Sequence, residues 1–312
     1  MVNNKNSTKV KILSMLRNSP DFVSGQKMSD HLGISRVAVW KHIKSLQELG
    51  YRINGSSTGY TLIDDKDLLY SWEFHKNREN YQTFSELIST MNTARDEVEK
   101  GCDSFTTIIA EKQSAGRGRG NHIWQSNEGG LYFTTIIKPE LPLAYHYLYI
   151  LAAAVAIREA VEELYRIPAK SKWPNDILFE EKKLAGVLAE FQASGDRIKW
   201  LNLGVGINVN NINNIENSCS IKEIIGSKQD RRILLTTFED KYKKILSDSG
   251  PVEILNRWKK NNYTLNKKIQ LKSITGKLFK GIAEDIDSSG SLMIKDNNKN
   301  ITKALFGDLF IQ

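Results

Sequence analysis

The sequence predicts an α+β protein in three parts: an N-terminal winged helix-turn-helix, a central mixed β-sheet with packed helices, and a small SH3-like β-barrel at the C-terminus. Three features lead there. Three short helical patterns run up to Gly50 and are followed by two strand-like runs around a turn-rich tip. Between residues 84 and 208 the strand-like runs follow one another largely without intervening helices, which argues for a mixed or antiparallel sheet. From Asn266 onward the pattern is strand-like throughout, with about five strands, the makings of a small barrel.

Each element has a local cause. Ser7 can cap a first helix carrying Val10, Leu13 and Leu16 on one side. Ser24 can cap a second through Met28 and Leu32, ended by Gly33 in a left-handed cap. Ser35 can cap a third from Arg36 to Leu49, with Val39, His42, Ile43, Leu46 and Leu49 on one side and Arg36, Trp40, Lys41, Lys44 and Gln47 on the other. Tyr51 to Ile53 and Tyr60 to Leu62 then form a hairpin around Asn54 to Gly59. Residues 64–84 read as a short helix and a polar linker, so the first domain boundary is expected at 64/65.

The central segment predicts strand 84–88, helix 93–100, strand 105–110, a Gly/Arg loop and strand 131–137. The longest helix, 143–165, precedes strands 169–173, 184–191 and 199–208, and helices 231–246 and 252–261 complete the segment. Strands at 268–271, 278–286, 291–295 and 301–306 follow, with turns at Ser288-Ser289-Gly290 and Asp296-Asn297-Asn298. The expected domains are therefore 1–64, 65–264 and 265–312.

Charge sharpens the division. The chain carries 44 Lys and Arg against 36 Asp and Glu. Nine basic and three acidic residues fall in 1–60, a local charge of +6, while 61–264 is close to neutral at −1. A basic module on a near-neutral body suits nucleic acid, with Ser35, Arg36, Lys41 and Lys44 of the third helix as DNA-binding candidates. A winged helix used for protein contacts is the alternative. No apolar run approaches the ~20 residues of a membrane span, and no secretory signal is visible. The expected location is the cytoplasm, with Cys102 and Cys219 reduced and no membrane partner.

Four motifs carry chemistry. Gln113-Ser-Ala-Gly116-Arg117-Gly118-Arg119-Gly120 leads to Trp124; its glycines admit close approach to an anion and its arginines offer forked donors. An RGG-like RNA element or a solvated turn is the other reading. Lys172-Trp173-Pro174-Asn175-Asp176 follows a strand, where Asn175 and Asp176 either orient an amine or metal or simply make an Asx turn. Lys183-Leu-Ala-Gly186 opens the next strand, a position where a lysine is commonly just solvated. Gly204-Val-Gly206-Ile-Asn208 ends another and lacks the third glycine and helix of a dinucleotide fingerprint. There is no Gly-x-Ser-x-Gly, no Walker lysine and no His/Cys cluster, which speaks against hydrolase, P-loop and zinc chemistry.

Taken in order and spacing, Glu111 to Arg119, Lys172 to Asp176, Lys183 to Gly186 and Gly204 to Asn208 resemble the biotin–protein ligases, over essentially the whole chain. With the winged helix the chain resembles the bifunctional type, ligase and biotin-operon repressor. The resemblance implies that biotin and ATP with Mg²⁺ give biotinyl-5′-AMP, and that biotin then passes to one lysine of a biotin carboxyl carrier protein, the acetyl-CoA carboxylase subunit. It places Ser89, Thr90, Gln113 and Arg117 at biotin, extends the binding set to Met91, Gly116, Gly118, Trp124, Gly186, Gly204, Gly206 and Asn208, and gives Arg119, Lys183 and Asp176 the catalytic roles. No residue is assigned as a metal ligand. The implied partners are the carrier protein, operator DNA of biotin genes and, with adenylate bound, a second copy of the chain. Two positions depart from the family pattern: Met91 between Thr90 and Asn92, and Gly120-Asn121-His122 after Arg119. A lipoate ligase, a ligase without repressor activity and a non-catalytic ligand-sensing regulator are the competing readings.

Overall fold

The computed structural model describes residues 8–64, 67–74, 80–120, 122–139, 142–212, 215–273, 276–305 and 307–311. They form two compact units, Met1–Glu79 and Asn80–Gln312. Ser7, the expected first cap, together with Asn121 and Phe306, lies outside the described residues.

The first unit is a winged helix-turn-helix. Helices α1 (Thr8–Arg17), α2 (Gly25–Leu32) and α3 (Arg36–Glu48) precede a two-stranded antiparallel wing, β1 (Arg52–Gly55) and β2 (Tyr60–Asp64). Ser24 Oγ accepts from Lys27 N and Ser35 Oγ from Ala38 N, while Gly33 closes α2 at φ 66°. The core includes Leu13, Leu16, Met28, Val39, Ile43 and Leu46 of the stripes that the helical spacing predicts, joined by Ile12 and Tyr51, which it does not, while Val10, Leu32 and Leu49 are only partly buried against it.

This unit continues past the boundary expected at 64/65. Leu68, Tyr70 and Trp72 pack against its core, and residues 71–73 form one 3₁₀ turn rather than a longer helix. Glu73 explains the anchorage: its carboxylate accepts from Tyr51 Oη at 2.5 Å and Arg17 Nη2 at 2.7 Å, and Trp72 Nε1 donates to Tyr51 Oη at 2.8 Å. A buried carboxylate needs such donors. The boundary moves to the far side of this cluster.

In the second unit a seven-stranded mixed sheet has the order β3-β4-β5-β9-β8-β7-β6. Its strands are β3 (Tyr81–Leu87), β4 (Thr106–Gln113), β5 (Leu131–Ile137), β6 (Lys170–Lys172), β7 (Asp176–Phe179), β8 (Lys182–Ser194) and β9 (Arg197–Ile207). Among the described residues β3 and β4 are the one pair of neighbouring strands in this sheet that runs parallel, and the crossover this requires is α4 (Thr90–Glu99). Helix α5 (His146–Tyr165) buries an unbroken run from Leu151 to Arg158 and packs beside α7 (Arg231–Asp248) and α8 (Pro251–Lys260). The short α6 (Ile221–Ile225), absent from the sequence reading, is held by a complete Ser220/Glu223 capping box. Beyond it, β10 (Lys268–Lys272), β11 (Leu278–Ile286), β12 (Leu292–Lys295), β13 (Ile301–Ala304) and β14 (Asp308–Ile311) form an antiparallel sheet ordered β13-β12-β11-β10-β14. The fold class is α+β, as expected. Among the described residues no helix is long and apolar enough to cross a membrane.

Candidate active site

The C-terminal ends of β3 and β4 set the inner end of a cavity of about 320 Å³. Ser89 ends the β3 segment and caps α4, its Oγ accepting from Met91 N at 3.3 Å. That cap makes Thr90, not Thr93, the first helical residue. Gln113 Oε1 then accepts from Thr90 N at 2.7 Å and Thr90 Oγ1 at 3.2 Å, while Gln113 Nε2 donates to Ser126 Oγ at 2.8 Å. Thr134 Oγ1 on β5 donates to Thr90 Oγ1 at 2.8 Å. This end presents neutral hydroxyl and amide groups, walled by Met91, Phe133, Leu188 and Val205. Gly204 leaves room for Met91, whose Sδ would lie 2.7 Å from a Cβ there.

The opposite end is charged. Lys183 on β8 places Nζ 2.7 Å from Asp176 Oδ1 on β7 and 5.1 Å from the centre of the Trp124 ring. Lys172 joins them from β6, paired in register with Asp176. Burial holds the Lys172 ammonium below the usual lysine range; Lys183 pushes the same way and Asp176 opposes it. Three titratable groups thus crowd one corner.

Trp124 lies across Gly186 and Gly206, which are register partners on β8 and β9. A Cβ at Gly206 would come within 2.5 Å of the indole and one at Gly186 within 2.9 Å, so only glycine admits the ring. The Trp124 Nε1 donor is buried and has no acceptor among the described residues. Such a donor is available to a ligand.

The Gly/Arg loop is tethered at two points. Arg117 pairs with Glu190 on β8, whose second oxygen accepts from Arg95 of α4 at 2.9 Å. Arg119 Nη2 donates to Gly307 O at 2.6 Å and to Asp308 Oδ1 at 3.1 Å, on the entry to β14. Within the loop, Gly118 N donates to His122 O and Trp124 N to Gly116 O. The loop is therefore folded, with its arginines facing carboxylates.

Comparison with known proteins agrees with this geometry. Residues 84–208 match the model of the biotin/lipoate A/B protein ligase family, and residues 9–61 match a helix-turn-helix domain. The chain is 34% identical over 308 residues to the bifunctional ligase/repressor BirA of Bacillus subtilis, spanning 93% of this chain and 94% of that protein. The chain belongs to the biotin/lipoate A/B protein ligase family. BirA of Escherichia coli is 27% identical over 305 residues, 94% of each chain. The biotin protein ligase of Aquifex aeolicus, solved in complex with biotin and ATP, superposes with a TM-score of 0.62 at 28% identity, covering 75% of this chain and 99% of that one.

In this family member the cavity gathers Ser89, Thr90, Met91, Gln113, Arg117, Gly118, Arg119, Trp124, Asp176, Lys183, Gly186, Gly204 and Gly206, all of them expected from the sequence. Gly116 and Asn208 do not line it. Gly116 supports the loop through its carbonyl, and buried Asn208 donates from Nδ2 to Lys183 O at 3.4 Å, bracing the strand that carries the lysine. Gly186 and Gly206 seat Trp124 here. Sequence reasoning did not select Lys172 as a site residue although its motif was in view; the half-buried setting of a lysine beside a tryptophan and a proline was the usable signal. It also missed Phe133 and His122, and Asp308 to Phe310, which β14 brings to the cavity from the far end of the chain. Asp176 starts a strand rather than an Asx turn, because Lys172 and Asp176 pair across a three-residue connection.

Proposed function

We propose that this chain activates biotin with ATP to biotinyl-5′-AMP, transfers biotin to one lysine of the biotin carboxyl carrier subunit of acetyl-CoA carboxylase, and represses biotin genes through its winged helix with the adenylate as corepressor. One observation carries the reading: a single cavity joins a neutral hydroxyl and amide end to a cationic end, in a chain aligned with BirA of Bacillus subtilis along nearly its whole length. A ureido ring suits the Thr90 and Gln113 end, where donors and acceptors are already held in place.

In the first step a carboxylate oxygen of biotin bonds to the α-phosphorus of ATP, and the bond to pyrophosphate breaks. Lys183 and Arg119 offset the negative charge on the phosphoryl oxygens, and Lys172 adds a third cation on the Lys183 side. In the second step a neutral acceptor lysine attacks the acyl carbon, AMP leaves, and the attacking nitrogen loses a proton. Asp176, which already accepts from one ammonium, has a second oxygen to orient that lysine. Closure of the Gly/Arg loop excludes water from the mixed anhydride.

Among the described residues no group of three His, Cys, Asp or Glu could by itself hold a metal ion. Magnesium bound through nucleotide phosphates needs only one or two protein carboxylates, and Asp176 fits that requirement. Magnesium supplies charge neutralisation of the phosphates when bound. In this reading residues up to 64, with the 68–74 segment packed on them, serve DNA; 80–264 serve ligation; and the C-terminal segment 265–312 adds Asp308 to Phe310 to the cavity. The adenylate-bound chain forms a homodimer that presents two winged helices to operator DNA.

The test is incubation of the protein with biotin, Mg-ATP and a carrier domain, read by intact mass. The acceptor gains one biotin on one lysine. An unmodified acceptor at saturating substrates overturns the ligase reading, and modification with lipoate instead of biotin reassigns the substrate.

A further inference from the structure

The face of α3 that points away from the core carries Val37, Trp40, Lys41 and Lys44, at the i, i+3, i+4 and i+7 spacing of one helical stripe. All four are exposed, Val37 at 63% and Trp40 at 50%, while Val39, Ile43 and Leu46 fill the core on the other side. The two apolar side chains are hence not part of the fold's own packing. They line an open groove with Arg36, the start of α2 and the wing tip, Ser56 to Thr58. Ser56 and Thr58 hold that tip through a 2.7 Å hydroxyl contact, and the Ser35 cap at 3.2 Å fixes the first turn of α3, where Val37 sits.

A groove lined by Arg36, a valine and an indole, on a helix stripe that also carries the exposed Lys41 and Lys44, asks for a polyanion with an apolar group on an otherwise polar surface. The major groove of duplex DNA presents one such group, the C5-methyl of thymine. The first turn of a recognition helix is also the part that meets base edges. We propose that Val37 and Trp40 read thymine methyl groups, and that Arg36, Lys41 and Lys44 anchor the flanking phosphates. Specificity then sits in the apolar pair and affinity in the cations. The proposal rests on the repressor reading above and names what the winged helix recognises.

The experiment removes the methyl and nothing else. Binding sites are selected from a randomised duplex library with the full chain, biotin and Mg-ATP. The selected duplex and its copy with deoxyuridine in place of thymine are compared by fluorescence anisotropy at fixed salt. Deoxyuridine keeps every hydrogen bond, so the expected loss is about fourfold per contacted methyl. V37A and W40A should each lose part of the preference for the thymine duplex, and the V37A/W40A double variant should bind the two duplexes equally, hold the deoxyuridine duplex as tightly as the unsubstituted protein, and keep its salt slope. K44A should weaken both duplexes alike and reduce the slope by about one. Equal binding of the two duplexes by the unsubstituted protein overturns methyl reading while leaving the repressor reading intact. Failure to select any duplex overturns the repressor reading itself. A change in self-association on V37A, with the thymine preference kept, assigns the face to protein contact and also overturns the proposal.

Discussion

Lys172, Lys183 and Asp176 place two ammonium groups around one carboxylate, and the two lysines should separate kinetically. Lys183 reaches Asp176 directly at 2.7 Å. Removing one charge-assisted contact costs about 1.5–3 kcal/mol, so K183A should slow adenylate formation by roughly 10- to 100-fold in single-turnover pyrophosphate release. An unchanged rate would return Lys183 to a solvated strand entrance. Lys172 should instead set a pH limit. Burial lowers its folded-state value, so as pH rises it loses its proton before an ordinary lysine does. Adenylation should therefore fall on an alkaline limb below the normal lysine range, and K172R should abolish that limb because guanidinium stays charged. The linked stability term runs the other way. The unfolded chain holds the Lys172 proton longer, so this residue makes folding more favourable as pH climbs through the same window. A parallel thermal melt distinguishes lost charge from unfolding.

The Gly/Arg loop works as an element because its hydrogen bonds tie it both to itself and to distant strands. Arg117 is held by Glu190 of β8 and Arg119 by the turn into β14, so the two arginines are anchored on different strands. R119G removes both contacts of the second grip and adds a flexible residue where three glycines already stand. Adenylate should then escape before transfer. The measurement is biotinylation of a bystander protein that lacks the acceptor sequence, expected to rise while total adenylate synthesis falls less. Bystander labelling no higher than with the unsubstituted protein would show that the loop does not govern retention. The glycine pair on β8 and β9 belongs to the same element-level arrangement, since Trp124 at the loop's far end rests on it.

For the whole molecule, the cations of α3 and the ligand cavity belong to different compact units, and a coupling between them calls for two states that both sites bias. The homodimer proposed for the adenylate-bound chain supplies such a state. DNA affinity should rise when biotin and ATP are both present and not with either alone. R36A should lower affinity in both conditions, whereas R119G should reduce only the gain on adding ligand. Fluorescence anisotropy and sedimentation on one preparation test this, and equal affinity with and without adenylate would leave the winged helix uncoupled from ligation.

Local chemistry alone determined a large part of this protein. Ser24, Ser35 and Gly33 mark helix ends because capping acts within three or four residues, and the Val39, Ile43 and Leu46 spacing marks a buried stripe because a helix repeats every 3.6 residues. The four motifs were legible for the same reason, each being a short run on one turn or strand end. Tertiary structure decided the rest. It alone carries Asp308 to Arg119 across 189 positions, sets Lys183 against Asp176 and beds Trp124 on two strands. It also returns residues 68–74 to the first unit through Glu73. These contacts join residues whose neighbours in the chain bear no mark of them, because a partner's distance in space is set by sheet order and not by sequence spacing.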